Sequence, residues 1–421
     1  MDTLQKAWEE VLQSEFEFKK VGAILLKRKF KEKGIKLTPT QISSIEEALA
    51  NNKLGSLILE LTPYQEAKLH TENKETNVNI DISDSESDIK KLRQDIGDNL
   101  IEVLPEIIDD LSEILLKSLK RESFSMIKYE AKRRGDFESR LLKEWRKPFR
   151  LLEMMHVISL EVGDDFNSEF RSQAAIENDF VFEVLTRMHA RACQISSEII
   201  CLLKAGFADG ANARWRTLHE ISVTCLFIKE HGNEIAEKYI LHDKIESYKA
   251  ALIYEKNAKI LGLDPLQEGE LAELEEVKEK LILRYGKYFN EDYGWASETL
   301  GKCNPHFSDI EKAVGLDHLH PYYKLASHNI HAQPKGILFK IGLVQNQDIL
   351  LAGPSNYGFT DPAQFLASSL TLITTTLLTY KPNIDRLVTC NILCKLRDEI
   401  ANEFFKVQKK IEIEEASFSK K

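Results

Sequence analysis

The sequence predicts a mainly α protein, and three observations carry that expectation. Helix formers (Leu, Glu, Lys, Ala, Ile) dominate, while Gly (19) and Pro (11) are sparse for 421 residues. Apolar residues recur at helical spacing over long stretches. Two such runs, Asp179 to Lys204 and Asn212 to His231, are separated only by a short segment holding Gly206 and Gly210, the pattern of an αα-hairpin.

Taken in order, residues 1–64 read as an N-terminal helical segment. One helix runs from Leu4 to about Lys33 and another from Thr38 to Asn51, capped by Thr40 or Thr38. Residues 65–87 form a polar linker in which NVNIDI alternates as a short strand would. Residues 88–165 return to helix, with a stripe from Leu100 to Leu115. Within them, Lys117 to Arg150 carries twelve Lys/Arg against five Asp/Glu, a net +7 that leaves −17 for the rest of the chain. Phe124, Tyr129, Phe137, Trp145 and Phe149 are interleaved with these bases. That pattern fits either a nucleic-acid surface or a solvated helix whose aromatics face inward.

Residues 166–385 are expected to form a helical bundle, with further helices over 233–261, 267–285, 308–332 and 361–379. Pro334 and Gly336 end the third of these. ILFKIGL and DILLAG then suggest a small β-hairpin at 337–353, and residues 386–421 a C-terminal helix. The stretch Phe365 to Tyr380 is too short and too rich in Thr to span a bilayer, so it reads as a buried core helix and no membrane contact is expected. No internal repeat stands out.

Six cysteines without a Cys-x-x-Cys pair, and an acidic amphipathic beginning rather than a signal peptide, suggest a cytoplasmic protein. The net charge of −10 argues against a general nucleic-acid coat but leaves room for a local basic site. There is no Gly-rich phosphate loop, dinucleotide fingerprint, His-Glu-x-x-His or Gly-x-Ser-x-Gly, and no cofactor is implied. His318, His320, His328 and His331 cluster near Asp317, but without a carboxylate on the face of His331 they make a poor metal site.

The candidate site is polar and lies on two helices. Arg216, His219 and Glu220 fall at i, i+3 and i+4, while Trp215, Leu218, Cys225 and Leu226 occupy the opposite face. Tyr323, Ser327 and His331 repeat every four residues, and His328 joins them. Arg can hold a phosphate bidentately, and two His can exchange protons near neutral pH, enough for metal-independent cleavage of RNA through its 2′-hydroxyl. The same residues also suit a structural ion-pair network, or a sensor that binds a phosphate ligand without cutting it.

The segments ANARWRTLHE, YGWASETL and HPYYKLASHNIH together resemble an uncharacterised bacterial family with an Arg-x-Leu-x-Glu helix and a later Tyr-x-x-x-Ser-x-x-x-His helix. The resemblance covers roughly 180–335 and implies a place among phage-defence genes. A wider resemblance is to the HEPN superfamily, helical bundles that act as metal-independent ribonucleases through Arg-x(4–6)-His, commonly across a homodimer. Arg214 and His219 fit that spacing. These likenesses imply a toxin-like effector with RNA as partner. Arg216, His219, Glu220 and His331 would be catalytic, Arg214, Tyr323, Ser327 and His328 would bind substrate, and the N-terminal part would meet a protein partner.

Overall fold

The computed structural model describes residues 30, 36–50, 61–63, 65, 86–344 and 349–418. The expected helix from Leu4 to Lys33, the strand-like NVNIDI and nearly all of the linker at 65–87 lie outside the described residues. The chain divides into two compact units, residues 1–134 and 135–421.

In the first unit, α1 (Pro39–Ala50) is capped by Thr38, whose Oγ1 accepts from the Gln41 amide at 3.3 Å while Gln41 Oε1 accepts from the Thr38 amide at 2.9 Å. This reciprocal box satisfies two of the amides that every helix start leaves without partners. Thr62 and Gln65 repeat the arrangement, at 3.4 and 2.9 Å, within a second Leu-Thr-Pro-x-Gln. The two glutamines also bond each other at 3.0 Å. The sequence therefore does hold a short internal repeat, too small to show as periodicity. It becomes visible once its two caps meet.

The long helix α2 (Glu86–Glu144) ends where Trp145 leaves helical geometry, and α3 (Arg146–Glu177) follows at once. Pro148 explains the break, because it has no N–H for the Glu144 carbonyl and its ring would crowd that oxygen. In the second unit, α3 packs on α4 (Phe180–Lys204), which turns tightly into α5 (Ala208–His231). Gly206 permits the turn. Its φ is +88°, and a Cβ there would lie 2.8 Å from Phe137 and Pro354. Next come α6 (Asn233–Leu261), α7 (Glu270–Tyr285) and the one-turn α8 (Ser297–Leu300). They are followed by α9 (Phe307–Ala313), α10 (His320–Ile330) and α11 (Pro334–Leu338). The last two are α12 (Thr360–Leu378) and α13 (Ile384–Phe418).

The centre of the second unit is α12, which touches α3, α4, α5 and α13. Most of its apolar residues are buried, and two of its buried polar groups bond side chains of other helices. Ser369 accepts from Trp215 Nε1 at 3.0 Å, and Thr374 meets His189 at 3.1 Å. The Thr-rich apolar stretch is thus a core helix, and among the described residues no helix is long and apolar enough to cross a membrane. The aromatics of the basic region divide. Trp145 and Phe149 are sealed in this core and Phe137 packs against it, whereas Phe124 and Tyr129 are exposed.

Two expectations need correction. No strand is present among the described residues of 337–353, of which 345–348 are not described. Pro334 starts the helix α11 instead, and Gly336 lets it approach α10, since a Cβ would fall 2.3 Å from the His328 carbonyl. Beyond it, the amides of Ile341 and Gly342 donate to the Asp209 carboxylate at 3.2 and 3.3 Å, and the Ser355 amide to the Gly206 carbonyl at 3.0 Å. Backbone donors that a hairpin would pair are satisfied by the α4–α5 corner. The single helix expected over 308–332 is also broken, because Gly315 takes φ +71° and Pro321 starts α10.

Candidate functional site

The broken helix makes the site. On a continuous helix the nine residues from Glu311 to His320 would set the two side chains about 180° apart and some 13 Å along the axis. The turn at Gly315 folds them together, so that His320 Nδ1 donates to Glu311 Oε2 at 2.7 Å. The other carboxylate oxygen, Oε1, accepts from His219 Nε2 on α5 at 2.8 Å. One carboxylate thus holds two imidazoles. Glu311 and His219 are 0% exposed, whereas the His320 side chain is 31% exposed. Burial pushes the His219 pKa below its usual value, with Glu311 opposing, so the ring is held neutral at physiological pH.

A second group adjoins this one through Tyr323. Its hydroxyl donates to Glu220 Oε1 at 2.6 Å and accepts from the Arg216 guanidinium at 2.8 Å, while Arg216 and Glu220 also meet directly at 3.2 Å. The guanidinium lies over the Tyr323 ring, 4.9 Å from its centre, and the His320 ring stacks at 5.9 Å. Burial and the adjacent Glu220 raise the Tyr323 pKa, keeping the phenol protonated. Burial works against the charge of Arg216, but Tyr323 and Glu220 outweigh it and hold its pKa above the ordinary value.

Some polar capacity is left over. Asn212 Oδ1, Arg216 Nε and His219 Nδ1 are buried without partners, and they fall at i, i+4 and i+7 on one face of α5. Asn329 Oδ1 on α10 is in the same condition. Buried polar atoms are normally bonded, so their concentration on these two helices marks a region not arranged for stability alone.

The sequence-selected residues thus separate. Arg216, Glu220 and Tyr323 form one bonded group. His219 belongs to the adjoining one, sealed from solvent. Arg214 turns away to Glu198 on α4 and to Thr217, so it and His219 serve different neighbours. Ser327 bonds its own helix at the Tyr323 carbonyl, His328 bonds Gln333, and His331 is an exposed helix end with no side-chain bond among the described residues. Sequence reasoning did not single out Glu311, and it weighed His320 only as a metal ligand. The available signal was a lone Glu beside Phe307 and Ile310, followed by a Gly able to end the helix. Among the described residues, no group of three or more His, Cys, Asp or Glu is placed to hold a metal ion.

Residues 182–348 match a family of unknown function (DUF5677), a span that runs from α4 through α11 and contains both polar groups. No curated protein and no solved structure matches the chain.

Proposed function

We propose that the polar groups on α5, α9 and α10 are a general-base site, and that the chain is a metal-independent endoribonuclease, a toxin-like effector of anti-phage defence. The observation that carries this reading is the Glu311–His320 pair. A buried carboxylate on Nδ1 fixes the tautomer and leaves Nε2 of this partly exposed ring as a base. Arg216 is the anion-holding group. Of its five N–H donors one bonds Tyr323, Glu220 lies at ion-pair distance from the same nitrogen, and its side chain is 26% exposed.

In the reaction, His320 Nε2 takes the proton of an RNA 2′-hydroxyl. The 2′-oxygen attacks the adjacent phosphorus and the 5′-oxygen departs as a hydroxyl with a proton from solvent water, leaving a 2′,3′-cyclic phosphate, and His320 returns its proton to solvent. His219 acts through Glu311 as a positioning residue. The HEPN-like pairing of Arg214 with His219 is replaced in this reading, because the two side chains serve different helices and His219 is sealed.

The test uses the purified full chain and a 5′-labelled RNA in EDTA. Fragments ending in cyclic phosphate are expected, and His320→Gln should slow cleavage at least about 100-fold, the usual contribution of a general base. Undiminished cleavage by a folded His320→Gln chain would exclude the mechanism. A second reading, a non-enzymatic interaction module, is favoured by the mutual neutralisation of Arg216 and Glu220. It predicts that Arg216→Ala lowers the melting temperature and that no RNA is cut by any form.

A further inference from the structure

The exposed middle of α2, in the first unit, has features that helix formation does not require. From Lys120 to Asp136 every side chain except Ser123 is exposed, on a helix that runs through without a break. Such a stretch is normally polar all round. Here it carries Phe124, Ile127 and Tyr129, exposed by 78%, 63% and 67%, and Met126 beside them. Residues 117–134 hold seven Lys/Arg against two Asp/Glu, in a chain whose formal charge is −10. Arg121 and Arg133 pair with Glu122 and Glu130 at 3.5 and 3.0 Å. Lys120, Lys128, Lys132 and Arg134 have no carboxylate partner among the described residues.

We propose that this segment of α2 docks single-stranded nucleic acid. These four cations lie along about 21 Å of helix at 1.5 Å per residue and neutralise backbone phosphates. Phe124 and Tyr129 offer ring faces to bases. Only unpaired bases present free faces, so the occupant is a single strand rather than a duplex. A coat of charge without aromatics would suit any polyanion. The exposed rings among the lysines select this one. The inference does not rest on the general-base site, which lies in the other unit.

The test is fluorescence anisotropy of the full chain with a labelled twelve-residue oligodeoxythymidine. This probe lacks the 2′-hydroxyl that the proposed cleavage requires, so binding and cleavage succeed or fail independently. Four phosphate contacts predict that log affinity falls with log salt at a slope of about −3, at roughly 0.7 per contact for single strands. Lys120→Gln/Lys128→Gln/Lys132→Gln should reduce the slope to about −1. Phe124→Ala/Tyr129→Ala should weaken binding tenfold or more and leave the slope unchanged. Because all five side chains are exposed, helix content by circular dichroism should be the same in every variant. Absence of binding by the wild type at 50 mM salt would overturn the proposal. So would a slope that ignores the three glutamines, or binding only to vesicles of phosphatidylcholine and phosphatidylserine.

Discussion

Replacing Glu311 separates a structural role from a catalytic one, because two substitutions at this position are expected to behave differently. In Glu311→Ala, His219 Nε2 loses its acceptor inside a site with no exposure, and its Nδ1 already has none. Stranding that buried donor costs about 1–3 kcal/mol. The missing methylene and carboxylate leave unfilled space that adds roughly another 1 kcal/mol. His320, partly exposed, turns to water and adds little. The total is about 2–4 kcal/mol, which at roughly 2–4 °C per kcal/mol for a domain of this order lowers the melting temperature by about 4–16 °C.

Glu311→Gln keeps the shape and changes only the hydrogen-bond sense on one side. The amide oxygen can go on accepting from His219 Nε2 while the amide N–H donates to His320 Nδ1, so the expected loss is under about 1 kcal/mol. His320 must then carry its own proton on Nε2, which no longer has the lone pair a base needs. In a Ser-His-Asp triad, the same acid-to-amide change lowers kcat about 10⁴-fold. Thermal melts beside RNA cleavage read both quantities. A Gln variant that melts normally and does not cleave supports the general-base site. If Gln melts as early as Ala, or cleaves as fast as wild type, the reasoning is refuted.

Four further outcomes are expected. Burial pushes His189 down from 6.5 to about 4. Its proton therefore favours the unfolded chain, and its contribution, whole above pH 6.5, is lost as pH falls toward 4. That loss amounts to about 3 kcal/mol, and urea melts at pH 7.5 and 4.5 should show a fall that His189→Gln flattens. Gly163→Ala would set a Cβ 2.4 Å from the His189 ring, and overpacking of about 1–3 kcal/mol should appear in the same melts. Tyr323→Phe removes the hydroxyl that joins Arg216 to Glu220 but leaves their 3.2 Å pair, so the loss should be about 1–2 kcal/mol, well below that of Arg216→Ala. Asp209→Ala frees the amides of Ile341 and Gly342, and those two should exchange hydrogen markedly faster while the α12 core keeps its protection.

Helices were legible wherever the apolar stripe is long and its ends carry local chemistry. Expected spans of 179–204, 233–261 and 361–379 differ from the observed Phe180–Lys204, Asn233–Leu261 and Thr360–Leu378 by at most one residue at either end. Asp179 caps the first of these, and Gly232 and Gly262, both at positive φ, flank the second. The hairpin at 337–353 was misread because alternation in ILFKIGL is a weak, short pattern. What decided the outcome was where the backbone donors could go, and Asp209 lies 132 residues from Ile341. No local rule sees that partner.

The site was half legible for a related reason. Spacing on one helix says which side chains share a face, and it grouped Arg216 with Glu220 and paired α5 with the Tyr323 helix. It does not say which neighbour each face will meet. Arg214 and His219 are five residues apart, about 140° around an ideal helix, so one turns to α4 and the other to α9. A motif defined by spacing alone therefore joins two side chains that the fold separates. The converse holds for Glu311 and His320. Their nine-residue spacing would put them on opposite sides of one helix, and only the left-handed turn at Gly315 brings them within a hydrogen bond. A glycine inside an expected helix, with a lone carboxylate before it and a histidine after it, is thus worth reading as a fold-back, because the break determines which residues share a site.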